Sequence, residues 1–507
     1  MTSQDSSPEK DSSPEKDSVP EKDSVPEKDS ATEKDSVTEK DSVPEKDSVT
    51  QPNRTTKKGS VLPRPEVGAP EPWSFPDSQR STLANGLDVV SYDIPGQYVI
   101  SVCLAVPMPL DREPRDQEGV ATIMARTLDE GTALHTAEEF AELLERRGIA
   151  LGAGASESGL VVDLDVSKRY LSEALDLLSQ AVREPAFPAN EVSRHIKTRL
   201  AEIDQERAVP GQRAALEFIT TYFDPGERAS RPTGGIKATV SAITPQDLVA
   251  FHAANVVPAG ATVVVAGDLS DLDVVAEIEQ ALGSWSGTAA EVVEPREAVR
   301  ASDAARIVFV DRPGSVQTEF YIGCPGPDHQ VEGGWAAYQV LGFVVGGSPN
   351  ARVDAVLRED KGYTYGIRSG FRPRRRGGMF LTSGSVRADS TVEALGLLLD
   401  ILDAARGGFT VEETKAGVDF ISKTAPGRYA TADTVAEEAA GLSLEGLTTD
   451  FTTQNLRALA GVDAAALSAA YARYITGDWT VVVVGDATLY AEAVQTLNRG
   501  PVSITQT

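Results

Sequence analysis

Metal-dependent and acid–base chemistry at neutral pH draws most often on histidine, and this chain has four, His135, His195, His252 and His329. No two of them stand at a metal-ligand spacing, such as the i, i+4 pair that puts two imidazoles on one helix face. Each therefore reads as a surface or capping histidine. The two cysteines, Cys103 and Cys324, lack a C-x-x-C spacing, which argues against both a cysteine zinc site and a disulfide framework and fits a reducing, cytoplasmic compartment. The densest cationic feature is the run Phe371-Arg372-Pro373-Arg374-Arg375-Arg376-Gly377-Gly378, placed between predicted strands at 363–371 and 379–385. A charged hairpin loop is its plain reading. In an acidic protein it could also grip acidic groups of a substrate or partner.

The net charge of −28 over 507 residues excludes nucleic acid and anionic membrane as main partners, because a phosphate surface needs clustered Lys and Arg to displace its counterions. No stretch approaches about twenty apolar residues, and the N-terminus is polar, so neither membrane spanning nor Sec-type export is expected. From Asp5 to Asp47 an Asp recurs every six residues in hexads of the type Asp-Ser-Val-Pro-Glu-Lys. Such a hexad has too little apolar surface to offset its ordering entropy, so a disordered tail is expected, inert and solubilising or serving as a tether. A Pro-rich linker continues through 51–72.

Two closely similar segments organise the remainder. Ala-Thr-Val-Val-Val-Ala-Gly-Asp at 261–268 and Trp-Thr-Val-Val-Val-Val-Gly-Asp at 479–486 lie 218 residues apart, each after an Ala-rich amphipathic helix, Pro245–Asn255 and 463–474. The same offset carries the strand at 87–93 onto the strand at 307–311. The fold class is therefore α+β: two duplicated lobes, each with helices packed on a mainly antiparallel sheet. The divisions are a tail and linker at 1–72, a first lobe at 73–290 and a second at 300–507. In the first lobe the pattern predicts a strand at 99–106, a helix at 118–128 and a helix at 136–147 opened by a Thr136/Glu139 capping box and closed by Gly148. An alternating strand at 160–166 and helices at 168–183 and 189–207 follow. The valine strands are continuously apolar, as strands buried on both faces are, and their Gly-Asp ends read as strand-to-loop punctuation.

The segment Gly119-Val120-Ala121 through Leu128-Asp129-Glu130-Gly131-Thr132, and the segment Gly346-Gly347-Ser348 through Leu357-Arg358-Glu359-Asp360-Lys361-Gly362-Tyr363-Thr364-Tyr365, together resemble the insulinase/pitrilysin metallopeptidase family over residues 78–500. The resemblance implies an inverted zinc motif, His-x-x-Glu-His, on the first helix, where this chain has Thr122, Ala125 and Arg126. A threonine does not replace an imidazole, a permanent guanidinium cation repels a metal, and alanine accepts no proton. The family's third ligand is a glutamate on a later helix, matched here by Glu202. Alone it reads as a solvated acid beside Glu206 and Arg207. In the second segment the family's substrate-holding arginine and tyrosine, seven residues apart, are matched by Arg358 and Tyr365. Such donors can hold a peptide carbonyl and stabilise an oxyanion without hydrolysing anything themselves.

The resemblance thus implies a non-catalytic subunit that holds no cofactor itself, with zinc carried by an insulinase-family partner and peptide substrate lying between the two. Substrate peptides in that family add to a sheet edge, which the resemblance places at 160–166. Two other readings stand beside it: a structural scaffold with no use for Arg358 and Tyr365, and an autonomous peptidase with a rebuilt metal site, for which neither the first helix nor the one at 333–343 offers a His pair.

Overall fold

The computed structural model describes residues 67–288 and 294–506; the hexad tail, for which disorder is expected, lies outside them. Among the described residues twelve strands form two six-stranded sheets. The first contains β1 (Gln79–Thr82), β2 (Asp88–Asp93), β3 (Val99–Pro107), β4 (Ala150–Ala155), β5 (Gly159–Ser167) and β6 (Thr262–Gly267). The second contains β7 (Ile307–Asp311), β8 (Gln317–Gly326), β9 (Ile367–Pro373), β10 (Gly378–Arg387), β11 (Thr480–Gly485) and β12 (Val502–Gln506). Their orders are β1-β2-β6-β3-β5-β4 and β12-β7-β11-β8-β10-β9. In both, the valine strand pairs parallel with the lobe's opening strand on one side and antiparallel with a long strand on the other. The two lobes are thus the same α+β fold used twice, differing in whether an N-terminal or a C-terminal strand closes the outer edge.

Neighbouring residues of a strand point to opposite faces, and the valine strands show why both faces must be apolar. Val263 and Val265 face the first lobe's own helices, and Val481 and Val483 the second's. The alternate residues meet helices from the other half of the chain. The helix Pro210–Tyr222 lays Ala214, Phe218 and Tyr222 on Val308, Val310, Val482 and Val484 of the second sheet. The helix Ala432–Leu444 lays Val435, Ala436 and Ala439 on Val90, Ala105 and Val264 of the first. Each lobe thus lends one helix to its neighbour. Close approach is built into the strands: a Cβ at Gly323 would come within 2.6 Å of the Phe218 ring, and one at Gly159 within 2.9 Å of Leu444. Phe75 adds a further tie, edge-on to Tyr92 of β2 and to Tyr429 of the second half, with ring centroids 5.6 and 5.0 Å away.

Local signals behave as sequence chemistry dictates. Thr136 and Glu139 form the reciprocal capping box, and Gly148 closes that helix at φ 61°. The Gly-Asp ends act as punctuation: Asp268 accepts from the Gly96 amide at 2.9 Å and Asp486 from the Gly314 amide at 2.8 Å, tying each strand end to the loop beside it. The helix expected over 118–128 is shorter, Val120–Ala125, because Gly119 enters it at φ 103° and turns follow Arg126. No described helix is long and apolar enough to cross a membrane.

If the exchanged helices hold the halves together, Phe218→Ala should remove about 3–5 kcal/mol of stability, the range for emptying a buried phenylalanine site. Denaturant unfolding followed by tyrosine and tryptophan fluorescence would measure it, and a loss below about 1 kcal/mol would show that the interface repacks without Phe218.

Candidate functional site

The helix Val120–Ala125 is positioned by a buried ion pair rather than by a capping side chain at its N-terminus. Glu113, with no exposed side-chain surface, accepts the Gly119 and Ala121 amides at 3.0 Å each and the Arg228 guanidinium at 2.7 and 3.0 Å. It therefore satisfies two of the amides that a helix N-terminus leaves without partners. Arg231 holds Glu118 through two contacts of 2.7 and 2.8 Å, and the loop at 228–235 is fastened against the helix. Gly119 must remain glycine on two counts: its φ of 103°, and a Cβ there would sit 2.9 Å from the Gly234 carbonyl.

On this helix Ala125 is buried, and the Thr122 hydroxyl makes only a long 3.5 Å contact with the Thr233 carbonyl. Arg126 donates to Glu202 Oε1 at 2.9 Å. Glu202 lies on the helix Ala189–Ala208, and its other oxygen accepts from Arg199 at 3.2 Å. Arg199 is itself buried, donating to the Gly234 carbonyl at 3.0 Å and to Glu206. Glu202 is thus no solvated acid: the place that resemblance assigns to two imidazoles, a base and a glutamate ligand is filled by a network of two guanidinium groups and two carboxylates. Burial alone would raise the Glu202 carboxyl, but the hydrogen bonds from Arg126 and Arg199 outweigh it and hold it below the ordinary range. With its folded pKa depressed, Glu202 adds stability above the ordinary carboxylate pKa and loses it as pH falls toward the depressed one. The Arg126–Glu202 contact is about one-third exposed on both sides, so it contributes at most about 1 kcal/mol. Its consequence is chemical. A zinc ion does not fit this donor set, since Glu202 already has two cations, Glu206 is held by Arg199, and neither position on the first helix offers a lone pair of imidazole type. Among the described residues there is no group of three or more His, Cys, Asp and Glu able to hold a metal.

The sheet edge is not where the sequence placed it. β5, which contains 160–166, is paired on one side with β3 and on the other with β4, leaving no backbone free for an added strand. The edge is β4, Ala-Leu-Gly-Ala-Gly-Ala, whose Gly152 and Gly154 have open space beside them. It packs beside the Val120–Ala125 helix.

Arg358 and Tyr365 lie on either side of a tight turn. The helical segment Arg352–Asp354 continues as a wider turn over Ala355–Asp360, and Gly362 at φ 63° returns its amide to the Arg358 carbonyl at 3.1 Å. Fully buried Asp354 fixes the exit into β9 by accepting the Ile367 amide at 3.0 Å and the Arg368 guanidinium at 2.9 Å. Among the described residues Arg358 has an ion pair only with Glu359, at 3.5 Å, and Tyr365 is 93 % exposed. Among the described residues no hydrogen bond reaches the Tyr365 phenol, so its donor is free.

The basic hairpin is not a solvated turn. Arg374 grips Glu157 of the β4–β5 turn with its Nε at 2.8 and 3.0 Å from the two carboxylate oxygens and stacks over Phe223 at 4.7 Å. It latches one lobe's hairpin to the other's. Sequence reasoning also missed Phe343 and Phe420, which stand 218 residues after Ala125 and Glu202 and stack at 4.6 Å.

Comparison with known proteins finds matches over both lobes. The family described as Insulinase (Peptidase family M16) matches residues 89–233, and the one described as Peptidase M16 inactive domain matches residues 242–419. An uncharacterised zinc protease of Mycobacterium tuberculosis is 25% identical over 337 residues, 66% of this chain and 76% of that protein. The non-peptidase homolog YmxG of Helicobacter pylori is 27% identical over 260 residues, 51% of this chain and 59% of its own. Among solved structures, a peptidase M16 inactive domain from Pseudomonas fluorescens superposes with a TM-score of 0.75 at 22% identity, covering 81% of this chain and 98% of that one. A protease from Helicobacter pylori gives 0.73 at 17% identity, covering 81% and 99%.

Because the helix is held in place by Glu113, Arg228 and Gly119 and not by the side chains at 122, 125 and 126, the combined substitution Thr122→His, Ala125→Glu and Arg126→His should release Glu202 and create a zinc site. Elemental analysis of the folded variant should find about one zinc per chain. A folded variant that takes up none would show that the two helices no longer stand at ligand geometry.

Proposed function

Because this chain belongs to the insulinase family, peptidase family M16, and pairs Arg126 with Glu202 where that family's zinc motif would stand, we propose that it is a non-catalytic member that works with a zinc-bearing partner of the same family. The carrying observation is that pair. A carboxylate already neutralised by two guanidinium groups and a helix with no imidazole leave no place for the metal-bound water on which hydrolysis in this family depends. The chain itself is taken to need no cofactor, and the zinc that activates water would be the partner's.

In this reading the peptide substrate lies between the two subunits. The β4 edge is suited to bind it through main-chain hydrogen bonds, which give affinity with loose sequence preference. Arg358, half-buried, and Tyr365, exposed, both without strong partners among the described residues, supply donors to the peptide carbonyl as it becomes an oxyanion. A donor placed in advance costs no reorganisation when charge develops. Cytoplasmic placement belongs to the same proposal, supported by the two buried free thiols Cys103 and Cys324.

In a reconstituted complex, Arg358→Ala or Tyr365→Phe should lower the partner's turnover about a hundredfold to a thousandfold, the cost of losing one oxyanion donor, with assembly unchanged. An effect confined to KM would mean the donor serves ground-state binding. Arg372→Ala, on the exposed side of the basic hairpin, is the control. Arg374→Ala does not serve, because it opens the latch to Glu157. Full activity in both site variants would leave the scaffold reading in possession.

A further inference from the structure

A cavity of about 360 Å³ lies among three helices of the second half, Val411–Arg428, Ala432–Leu444 and Thr449–Leu459, and is lined also by Gln339 and His329. It takes no part in the proposed peptide chemistry. Its lining is chemically one-sided. Glu437, Glu438 and Glu445 share the lining with a single permanent cation, Arg428, which lies over the Tyr429 ring. Glu445 is paired with His329. Glu438 is met by neutral donors, the Thr452 hydroxyl at 2.7 Å and the Tyr429 phenol, and has no ion pair among the described residues. Glu437 has no ion pair among the described residues. Burial and the repulsion of Asp163, Asp433 and Asp165 raise its carboxyl above the ordinary range.

The observation that points to a ligand is Asn455. It lines the cavity and is only 7 % exposed. Its amide nitrogen donates to Gln339 Oε1 at 2.7 Å, while its Oδ1 has no hydrogen-bond partner among the described residues. An orphaned buried acceptor costs about 1–3 kcal/mol and is retained when something supplies the missing donor. Phe420, Tyr429 and Phe451 add aromatic faces to the same walls. A group that donates hydrogen bonds, carries positive charge and presents an alkyl stem to aromatic rings would satisfy all three deficits at once.

The geometry points to a binding site for a small organic cation in this cavity, an alkylammonium or guanidinium whose donor completes Asn455 and whose charge is shared by Glu438 and Glu437. The cation could arrive as a free amine or as the side chain of a peptide. Because the Ala432–Leu444 helix is also the one lent to the first sheet, an occupant would stiffen the join between the lobes.

The test is calorimetric titration and thermal melting of the full chain with n-pentylamine, with Nα-acetyl-lysine methylamide, and with 1-pentanol as the uncharged isostere. The expected result is one saturable site for the amine, a rise in melting temperature and no effect of pentanol. Affinity should fall roughly tenfold to a hundredfold in Glu438→Gln, the range for losing a charge-assisted contact, and should also fall in Glu437→Gln. Both positions are at least partly solvent-exposed, so neither substitution threatens folding. Asn455→Leu should abolish binding where it folds. Binding of the lysine derivative as well as pentylamine supports the site and identifies peptide side chains as a source; binding of pentylamine alone supports it and identifies free amines. Absence of saturable binding by both amines, or unchanged affinity in both glutamine variants, would overturn the proposal and leave a water-filled cavity.

Discussion

Two sheets whose central strands are apolar on both faces must be covered on both faces, and this single requirement organises the molecule. Each lobe's own helices cover one side. The other side is covered only because Pro210–Tyr222 and Ala432–Leu444 cross to the opposite sheet. Neither lobe can therefore be completed without the other. The edges of the two sheets, the Arg374–Glu157 latch and the positions of the first-lobe helix and the Arg358–Tyr365 turn all follow from that reciprocal arrangement. Valine on the strands and alanine on the Ala432–Leu444 helix suit it, since small flat surfaces let a helix approach a sheet closely.

Within this frame the first helix is set by Gly119, Glu113, Arg228 and the loop at 228–235, which are heavily hydrogen-bonded. Arg126 supplies the positive charge that Glu202 needs, with Arg199 as a second donor, so the two helices are bridged by electrostatics. In the second lobe Phe343 and Phe420 stack, an apolar contact onto the helix Val411–Arg428.

Much of this was legible in the residues. The valine runs, the 218-residue offset between them and the Thr136/Glu139 box are local patterns, and local patterns survive in a single sequence. What was not legible is non-local. Apolar faces on Pro210–Tyr222 and Ala432–Leu444 say that something is buried, not which sheet buries it. The alternation of Leu160, Val162, Leu164 and Val166 marks a strand but not whether a neighbour lies beyond it, and β4, built from Ala and Gly, has no alternation to announce the real edge. Arg126 and Glu202 are 76 residues apart, so the absence of a zinc motif could be read from the chain while the salt bridge that replaces it could not.

The central claim is that Arg126 occupies Glu202 in the place of a metal, and the most direct measurement is elemental analysis of the purified full chain after incubation with zinc and dialysis against a weak chelator. The account expects far less than one zinc per chain. One zinc retained per chain would contradict it, and would mean that the guanidinium yields its carboxylate to a metal held by ligands outside the set identified above.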